Sequence, residues 1–238
     1  MKKDQIGITK QEEWNRKWLD IFDHYQQDQR HAYYLHAILE DSDRKILEMG
    51  AGSFRDMALL NALGVDCWGT DYSDTSVELA QKYFPSLSTK IFQSDAFNMS
   101  MVSDGEFDAT FHNGLWVLFN DNDDLLKLAA EQARISRNKM LVTVHNGHNK
   151  DFVGYFHRLA QSDPLYRIRF FLVDEIRSLL LSVCRDVDII PVGKGKKLYE
   201  DEMINQGKVS RLELRKFFDE AGLSHLEISE RLLCVGYL

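Results

Sequence analysis

Three observations predict an α/β fold with a mostly parallel sheet covered by helices on both faces. Short apolar runs alternate with amphipathic stretches between residues 45 and 145, the pitch that strand–helix–strand units require. The run Lys45-Ile-Leu-Glu-Met49 leads directly into Gly50-Ala-Gly52, where the backbone must turn sharply and leave its N–H groups open to a ligand. The next apolar run closes on Asp71, 19 residues after Gly52, where a carboxylate can accept both hydroxyls of a ribose. Together these residues point to an adenosine-type cofactor.

Taken in order, residues 11–39 read as helix in one or two pieces. Trp14, Trp18, Ile21 or Phe22, and Tyr25 recur at helical spacing, and a second stripe runs through Tyr33, Leu35 and Ile38. Packing of that aromatic stripe against the domain is favoured over a role as a cofactor lid. Strand, glycine loop, helix (Phe54 to Leu63) and strand then occupy residues 45–71, and the positive end of that helix faces the loop. Asp74 is placed to cap a helix from Thr75 to Tyr83 that Pro85 ends. Ile91 to Asp95 reads as a third strand, Phe107 to Phe111 as a fourth, and Lys139 to Val144 as a fifth. The acidic run Asp121 to Asp124 opens the helix between the last two. Beyond residue 145, helices are expected over 152–160 and 173–183 and a strand over 186–192. A helix then runs from Ser210 to a stop at Gly222, followed by apolar segments at 226–229 and 232–238.

The chain's 238 residues suit one domain with a sizeable core, divided into an N-terminal helical lid 1–40, a cofactor-binding core 41–145, a substrate-facing insertion 146–208 and a C-terminal helix and strand pair 209–238. A net charge of −8 argues against non-specific attraction to nucleic acid or an anionic membrane. Cys67, Cys184 and Cys234 stand far apart in apolar surroundings and read as reduced thiols. No spacing suggests a metal site, the pair His145 and His148 included. No apolar run follows Met-Lys-Lys-Asp, and none is long enough to cross a membrane, so a cytoplasmic address is expected.

The glycine loop discriminates among cofactors. A dinucleotide site wants G-x-G-x-x-G, yet Arg55 holds the third glycine's place. Glu48, two residues before Gly50, completes instead an E-x-G-x-G pattern. That pattern resembles motif I of the class I S-adenosylmethionine-dependent methyltransferases, and Arg55-Asp56 resembles the ending common in their small-molecule branch. The family's usual third glycine is Phe54 here, a departure expected to narrow the methionine pocket.

The resemblance implies a Rossmann-like, seven-stranded sheet with an antiparallel C-terminal strand, and a set of residues at the strand ends. Gly50, Gly52, Ser53 and Arg55 would hold the methionine part, with Glu48 organising the loop. Asp71 would take the ribose and Tyr72 the adenine, with Asp95 and Ala96 reading the adenine edge. His112 and Asn113 would meet the methionine amine and the incoming nucleophile. A hydroxyl acceptor needs a base, for which His112, His145 and His148 stand at adjacent strand ends, whereas a neutral amine needs none.

Leu115 to Asp121 resembles the segment in which plant-type O-methyltransferases carry a catalytic His-Asp pair. Phe119 and Asn120 stand there instead, so that mechanism does not transfer. Lys194, Lys196 and Lys197 could meet a substrate phosphate or carboxylate, though a solvated loop is the commoner use of such charges. The expected partner is a small-molecule acceptor, metabolite or sugar-like, rather than a nucleic acid. A cofactor-binding subunit without turnover and a nicotinamide-dependent oxidoreductase remain as alternatives.

Overall fold

The computed structural model describes residues 10–27, 30–193, 204 and 210–238. The helices are α1 (Gln11–Tyr25), α2 (Arg30–Ile38), α3 (Arg55–Ala62), α4 (Asp74–Tyr83), α5 (Asn122–Ile135), α6 (Lys150–Leu159), α7 (Val173–Leu180) and α8 (Arg211–Ala221). The strands are β1 (Lys45–Met49), β2 (Asp66–Asp71), β3 (Ile91–Gln93), β4 (Phe107–Asn113), β5 (Ser136–His145), β6 (Asp186–Val192) and β7 (Arg231–Tyr237). They form one sheet in the order β3-β2-β1-β4-β5-β7-β6. The first five run parallel, and β7 runs antiparallel to both neighbours. The order reverses between β1 and β4, so a crevice opens outside the carboxyl ends of these strands.

The two larger of three apolar cores explain the layering. Trp18, Leu35, Leu60, Val77 and Phe218 bring α1 to α4 and α8 into one cluster, while Leu128, Ile176 and Leu180 bring α5 and α7 into another. Strand residues such as Ile46 and Leu141 enter the first cluster, and Val142 and Cys234 enter the second, the alternation a sheet buried on both faces requires. All three cysteines are free and buried. Among the described residues no helix is long and apolar enough to cross a membrane.

Local chemistry sets the boundaries. Ser73, rather than Asp74, caps α4, its hydroxyl accepting from the Ser76 N–H at 3.1 Å. Ser210 and Glu213 close a reciprocal capping box on α8, and Gly222 ends that helix with φ +48°. Leu226 to Ser229 form turns, and β7's outer partner is instead β6, drawn from within segment 146–208. The stretch of that segment that leaves the sheet therefore ends before α7, which packs in the second core. Lys194, Lys196 and Lys197 lie outside the described residues.

At the amino ends of the strands, buried charges pair with one another. Lys139, 4% exposed, meets Asp43 at 2.9 Å, and one Asp108 oxygen accepts the Arg44 and Lys45 N–H groups at 3.0 Å each. That end of the sheet is closed; the carboxyl ends open onto a cavity.

Candidate active site

The cavity, about 260 Å³, lies outside the carboxyl ends of β1, β2, β4 and β5, with α1 across its mouth. Its first end is the glycine loop. Gly50 and Gly52 adopt φ +59° and +57°, a region that side-chain-bearing residues enter at a cost. A Cβ on Gly52 would sit 2.3 Å from the Trp18 ring, so the indole of α1 packs directly on bare backbone. Asp71 reaches back to this loop: one carboxylate oxygen accepts the Gly52 N–H and the other the Ser73 N–H, both at 2.8 Å. Ser76 donates its hydroxyl to the Gly52 carbonyl, tying loop to α4. Glu48 accepts the Met57 N–H at 2.9 Å and so fixes the first turn of α3.

Three acids thus line this end: Glu48, Asp56 and Asp71. Burial pushes the Asp71 carboxyl up to about 6, against the pull of its backbone donors. Burial and the neighbouring Asp56 carboxylate raise Glu48 well above the usual carboxylate value. Asn113 donates to Asp56 at 3.1 Å from the end of β4. Crowded, partly dehydrated carboxylates favour a positively charged ligand group, and the open backbone beside Asp71 suits a hydroxyl-bearing sugar.

Phe54 does not narrow the cavity. It is the N-cap of α3 at φ +56°, and its fully buried ring belongs to the first core. The room comes from β2: a Cβ on Gly69 would lie 2.7 Å from the Phe54 ring. A glycine lost from the turn is matched by one in the adjacent strand, at a backbone strain of roughly 1–3 kcal/mol.

The second end gathers residues distant in sequence. His145 closes β5 and faces Arg231 across the antiparallel ladder, where the two are register partners. The His145 ring stacks on Phe152 at 5.6 Å and meets the edge of Phe156 at 5.0 Å. The Arg231 guanidinium stands 5.1 Å from the same Phe152 ring. Burial, then the Arg231 guanidinium and His31, hold the His145 imidazole well below its usual value, so it is neutral at pH 7. Its Nδ1 has no hydrogen-bond partner among the described residues. Burial and the Tyr166 phenol push the Tyr25 hydroxyl up, opposed by Arg55 and Arg231. Asn146 stitches this end together, donating to the Leu226 and Ser229 carbonyls at 2.6 and 2.9 Å.

Helix α1 spans both ends and is tied at several points. Gln11 donates to the Tyr72 carbonyl at 2.7 Å, and Asn15 accepts from Ser73 Oγ at 2.7 Å. Beyond its other end, Gln26 donates to the Ser53 carbonyl at 2.9 Å and Arg55 to the Tyr25 carbonyl at 2.6 Å. Lys17 pairs with Asp163 at 2.8 Å, joining α1 to the segment after α6. The aromatic stripe both packs and lines: Trp14, Trp18 and Tyr25 bound the cavity while Phe22 enters the core.

Of the expected site residues, Glu48, Gly50, Gly52, Ser53, Arg55 and Asp71 line the cavity, as do Tyr72, Ala96, Asn113 and His145. Arg55 is engaged by α1 and by Asp56, 4.0 Å away, at the loop end. Three expected residues stand outside the lining. His112 is fully buried beside Trp116, burial pushes it down to about 3, and neither ring nitrogen has a hydrogen-bond partner among the described residues. His148 accepts the Val173 N–H at 3.1 Å through Nε2 and so serves the start of α7. Asp95 is exposed and accepts the Phe97 N–H at 2.9 Å, a turn contact. Trp116 and Phe119 lie in or against the second core. Sequence reasoning missed His31, Phe156, Tyr166 and Arg231; the β5–β7 register is the signal that finds Arg231 opposite His145.

Residues 46–139 match the family model of a methyltransferase domain. No curated protein matches the chain in sequence. Among solved structures, the chain is similar to an S-adenosylmethionine-dependent methyltransferase from Archaeoglobus fulgidus. The two share 16% identity with a TM-score of 0.63, over 94% of this chain and 98% of that one. It is also similar to magnesium protoporphyrin IX methyltransferase from Synechocystis PCC 6803 with bound S-adenosylhomocysteine, at 12% identity and TM-score 0.62 over 95% and 97% of the two chains. Geranyl diphosphate C-methyltransferase from Streptomyces coelicolor A3(2), holding Mg2+, geranyl diphosphate and S-adenosylhomocysteine, matches at 12% identity and TM-score 0.57 over 98% and 86%.

Proposed function

We propose that the chain is a class I S-adenosylmethionine-dependent methyltransferase acting on an oxygen or nitrogen of a small-molecule acceptor, a reading that the match of residues 46–139 to a methyltransferase-domain model supports. One observation carries the reading: a single cavity joins the glycine loop to His145, and α1 lines both ends, with Trp18 on Gly52 and Tyr25 near Arg231. A recess of this size admits a metabolite more readily than a folded polymer. The acidic net charge disfavours a nucleic-acid strand.

When bound, S-adenosylmethionine supplies a methyl carbon already activated by its sulfonium. The residues then have to bind, align and exclude water. In this reading Gly50, Gly52 and Ser53 pass the methionine part, with Asn113 and Arg55 at its polar end. Asp71 accepts from the ribose, and Tyr72 and Ala96 border the adenine. Trp14 and Trp18 keep water from the loop, and their faces suit a cationic group. His145 takes the proton of a hydroxyl acceptor; its neutral state at pH 7 leaves it able to accept one. Buried, reduced cysteines accord with a cytoplasmic address.

Calorimetric titration with S-adenosylmethionine, S-adenosylhomocysteine and NAD tests the cofactor half, and a panel of phenols, sugars and small amines tests the other. Selective binding of the sulfur nucleotides followed by methylation of a panel member is expected. Binding with no turnover across the panel would favour a non-catalytic cofactor-binding subunit.

A further inference from the structure

The far end of the cavity offers a different surface from the glycine loop. The acids that line the cavity, Glu48, Asp56 and Asp71, stand at the loop, and among the described residues no carboxylate lines the wall beyond them. Phe156, Leu165, Tyr166 and Ile168 supply that wall from α6 and the segment after it. Val117 adjoins them, its carbonyl accepting the Arg169 N–H at 2.8 Å. A protonated amine finds no counter-charge on such a wall, and a sugar would press unpaired hydroxyls against it. Arg231, at the same end, lies over the Phe152 ring at 5.1 Å and donates to the Glu230 carbonyl at 3.3 Å, so the protein's own groups engage it.

The rings of this wall are held in place yet remain partly open. Phe156 meets Phe152 at 4.8 Å, Phe170 at 5.9 Å and Tyr166 at 5.8 Å, each edge to face. Even so, no residue of α6 is buried, and Phe156 and Tyr166 are only half-buried where they line the cavity. An aromatic cluster fixed by its own contacts, with part of its surface open, suits a flat apolar ligand. His145 belongs to the same cluster, stacked on Phe152 and meeting the edges of Phe156 and Phe170 at 5.0 and 5.7 Å. It is 7% exposed, and its Nδ1 has no hydrogen-bond partner among the described residues. An imidazole so dehydrated, lining a cavity, favours a ligand that brings a hydroxyl.

We propose that this end binds a flat, uncharged phenol, its ring against Phe156 and Tyr166 and its hydroxyl against His145. The proposal rests on the methyl-transfer reading and gives that reading a substrate class. A ring held by its faces can turn only in its own plane, so His145 selects the edge that carries the reacting oxygen. A saturated ring loses the flat contact, and a ring without the hydroxyl leaves the imidazole unmatched.

The test titrates the full chain, loaded with S-adenosylhomocysteine, with 4-ethylphenol, 4-ethylcyclohexanol and 4-ethyltoluene. The phenol should bind about tenfold or more tighter than 4-ethylcyclohexanol, which keeps the hydroxyl and loses the flat ring. It should bind about threefold or more tighter than 4-ethyltoluene, which keeps the ring and loses the hydroxyl. Phe156→Leu combined with Tyr166→Leu should cut the first preference by about threefold or more, with S-adenosylhomocysteine affinity within about twofold of wild type. His145→Phe, which keeps the ring packing, should erase the second preference. A phenol that binds no tighter than either analogue, absence of binding by all three, or either preference surviving its variant overturns the proposal. Should a variant fail to fold, Tyr166→Leu alone or His145→Ala replaces it and is read against the same thresholds. Failure of S-adenosylhomocysteine to bind would count against the methyl-transfer reading instead, and the two preferences are then read on the unloaded chain.

Discussion

The two ends of the cavity are built by different means. The glycine-loop end consists of short-range structure: a turn, a helix start and one carboxylate from the next strand, joined by backbone hydrogen bonds. The opposite end is assembled from side chains of α1, α2, β5, α6 and β7, held by ring stacking and one cross-strand pair. Backbone geometry repeats wherever the same turn is made, so the first end can serve one cofactor in many proteins. Side chains brought together from separate elements can change one at a time, so under the proposed function the second end is where acceptor specificity would reside.

Substitutions can separate the ends. Asp71→Ala should lower S-adenosylmethionine affinity on the order of 100-fold, because a charge-assisted pair of hydroxyl contacts and the loop's own anchor are lost together. The fold should survive; an affinity within threefold of wild type in calorimetry would remove Asp71 from the site. His145→Ala should do the reverse, sparing cofactor affinity while cutting turnover of a hydroxyl acceptor about 10²–10⁴-fold. Equal loss with an amine acceptor would mark it as structural.

The pH dependence should also divide. Asp71 carries a folded-state value near 6 against an unfolded 3.8. Being raised, it contributes stability that is present below the unfolded value and lost as pH rises through about 6, worth about 3 kcal/mol at most. Cofactor binding draws on the ionised form, so affinity should fall as pH drops from 8 to 5. A flat profile would mean that the carboxylate does not accept from the ligand.

The Phe54–Gly69 exchange gives a stability test that touches neither end. Gly69→Ala should destabilise by about 1–3 kcal/mol through overpacking, and adding Phe54→Gly should couple with it measurably in a double-mutant cycle. Independent, additive effects in denaturant titration would show that the two do not share space. The smallest effect is expected at Lys17→Ala. This half-exposed pair with Asp163 should be worth less than about 1 kcal/mol, and the loss should shrink further in salt.

The same contrast explains what the sequence could tell. Gly50, Gly52 and Asp71 stand within one strand–helix–strand unit, so spacing alone locates their end of the cavity, as periodicity locates the parallel strands. Arg231 and His145 become neighbours only through the antiparallel pairing of β5 and β7, which no local pattern encodes. His112 and His148 look like His145 in the sequence, each near the end of a strand. What separates them is the face of the sheet and the helix start each one meets: His112 turns into the core, and His148 accepts an N–H of α7. The third motif glycine misled for a related reason, since the space for Phe54 is provided by Gly69, a residue on another strand.

Helix α1 touches both halves, Trp18 lying on Gly52 and Tyr25 standing near Arg231. A helix in contact with two ligands cannot answer to one alone. Whatever factor an acceptor imposes on the grip of the nucleotide, the nucleotide must impose on the grip of the acceptor, in the same direction and by the same amount. Measuring either affinity with the other ligand absent and present therefore determines both, and the order in which the two arrive can alter the path but not the sum.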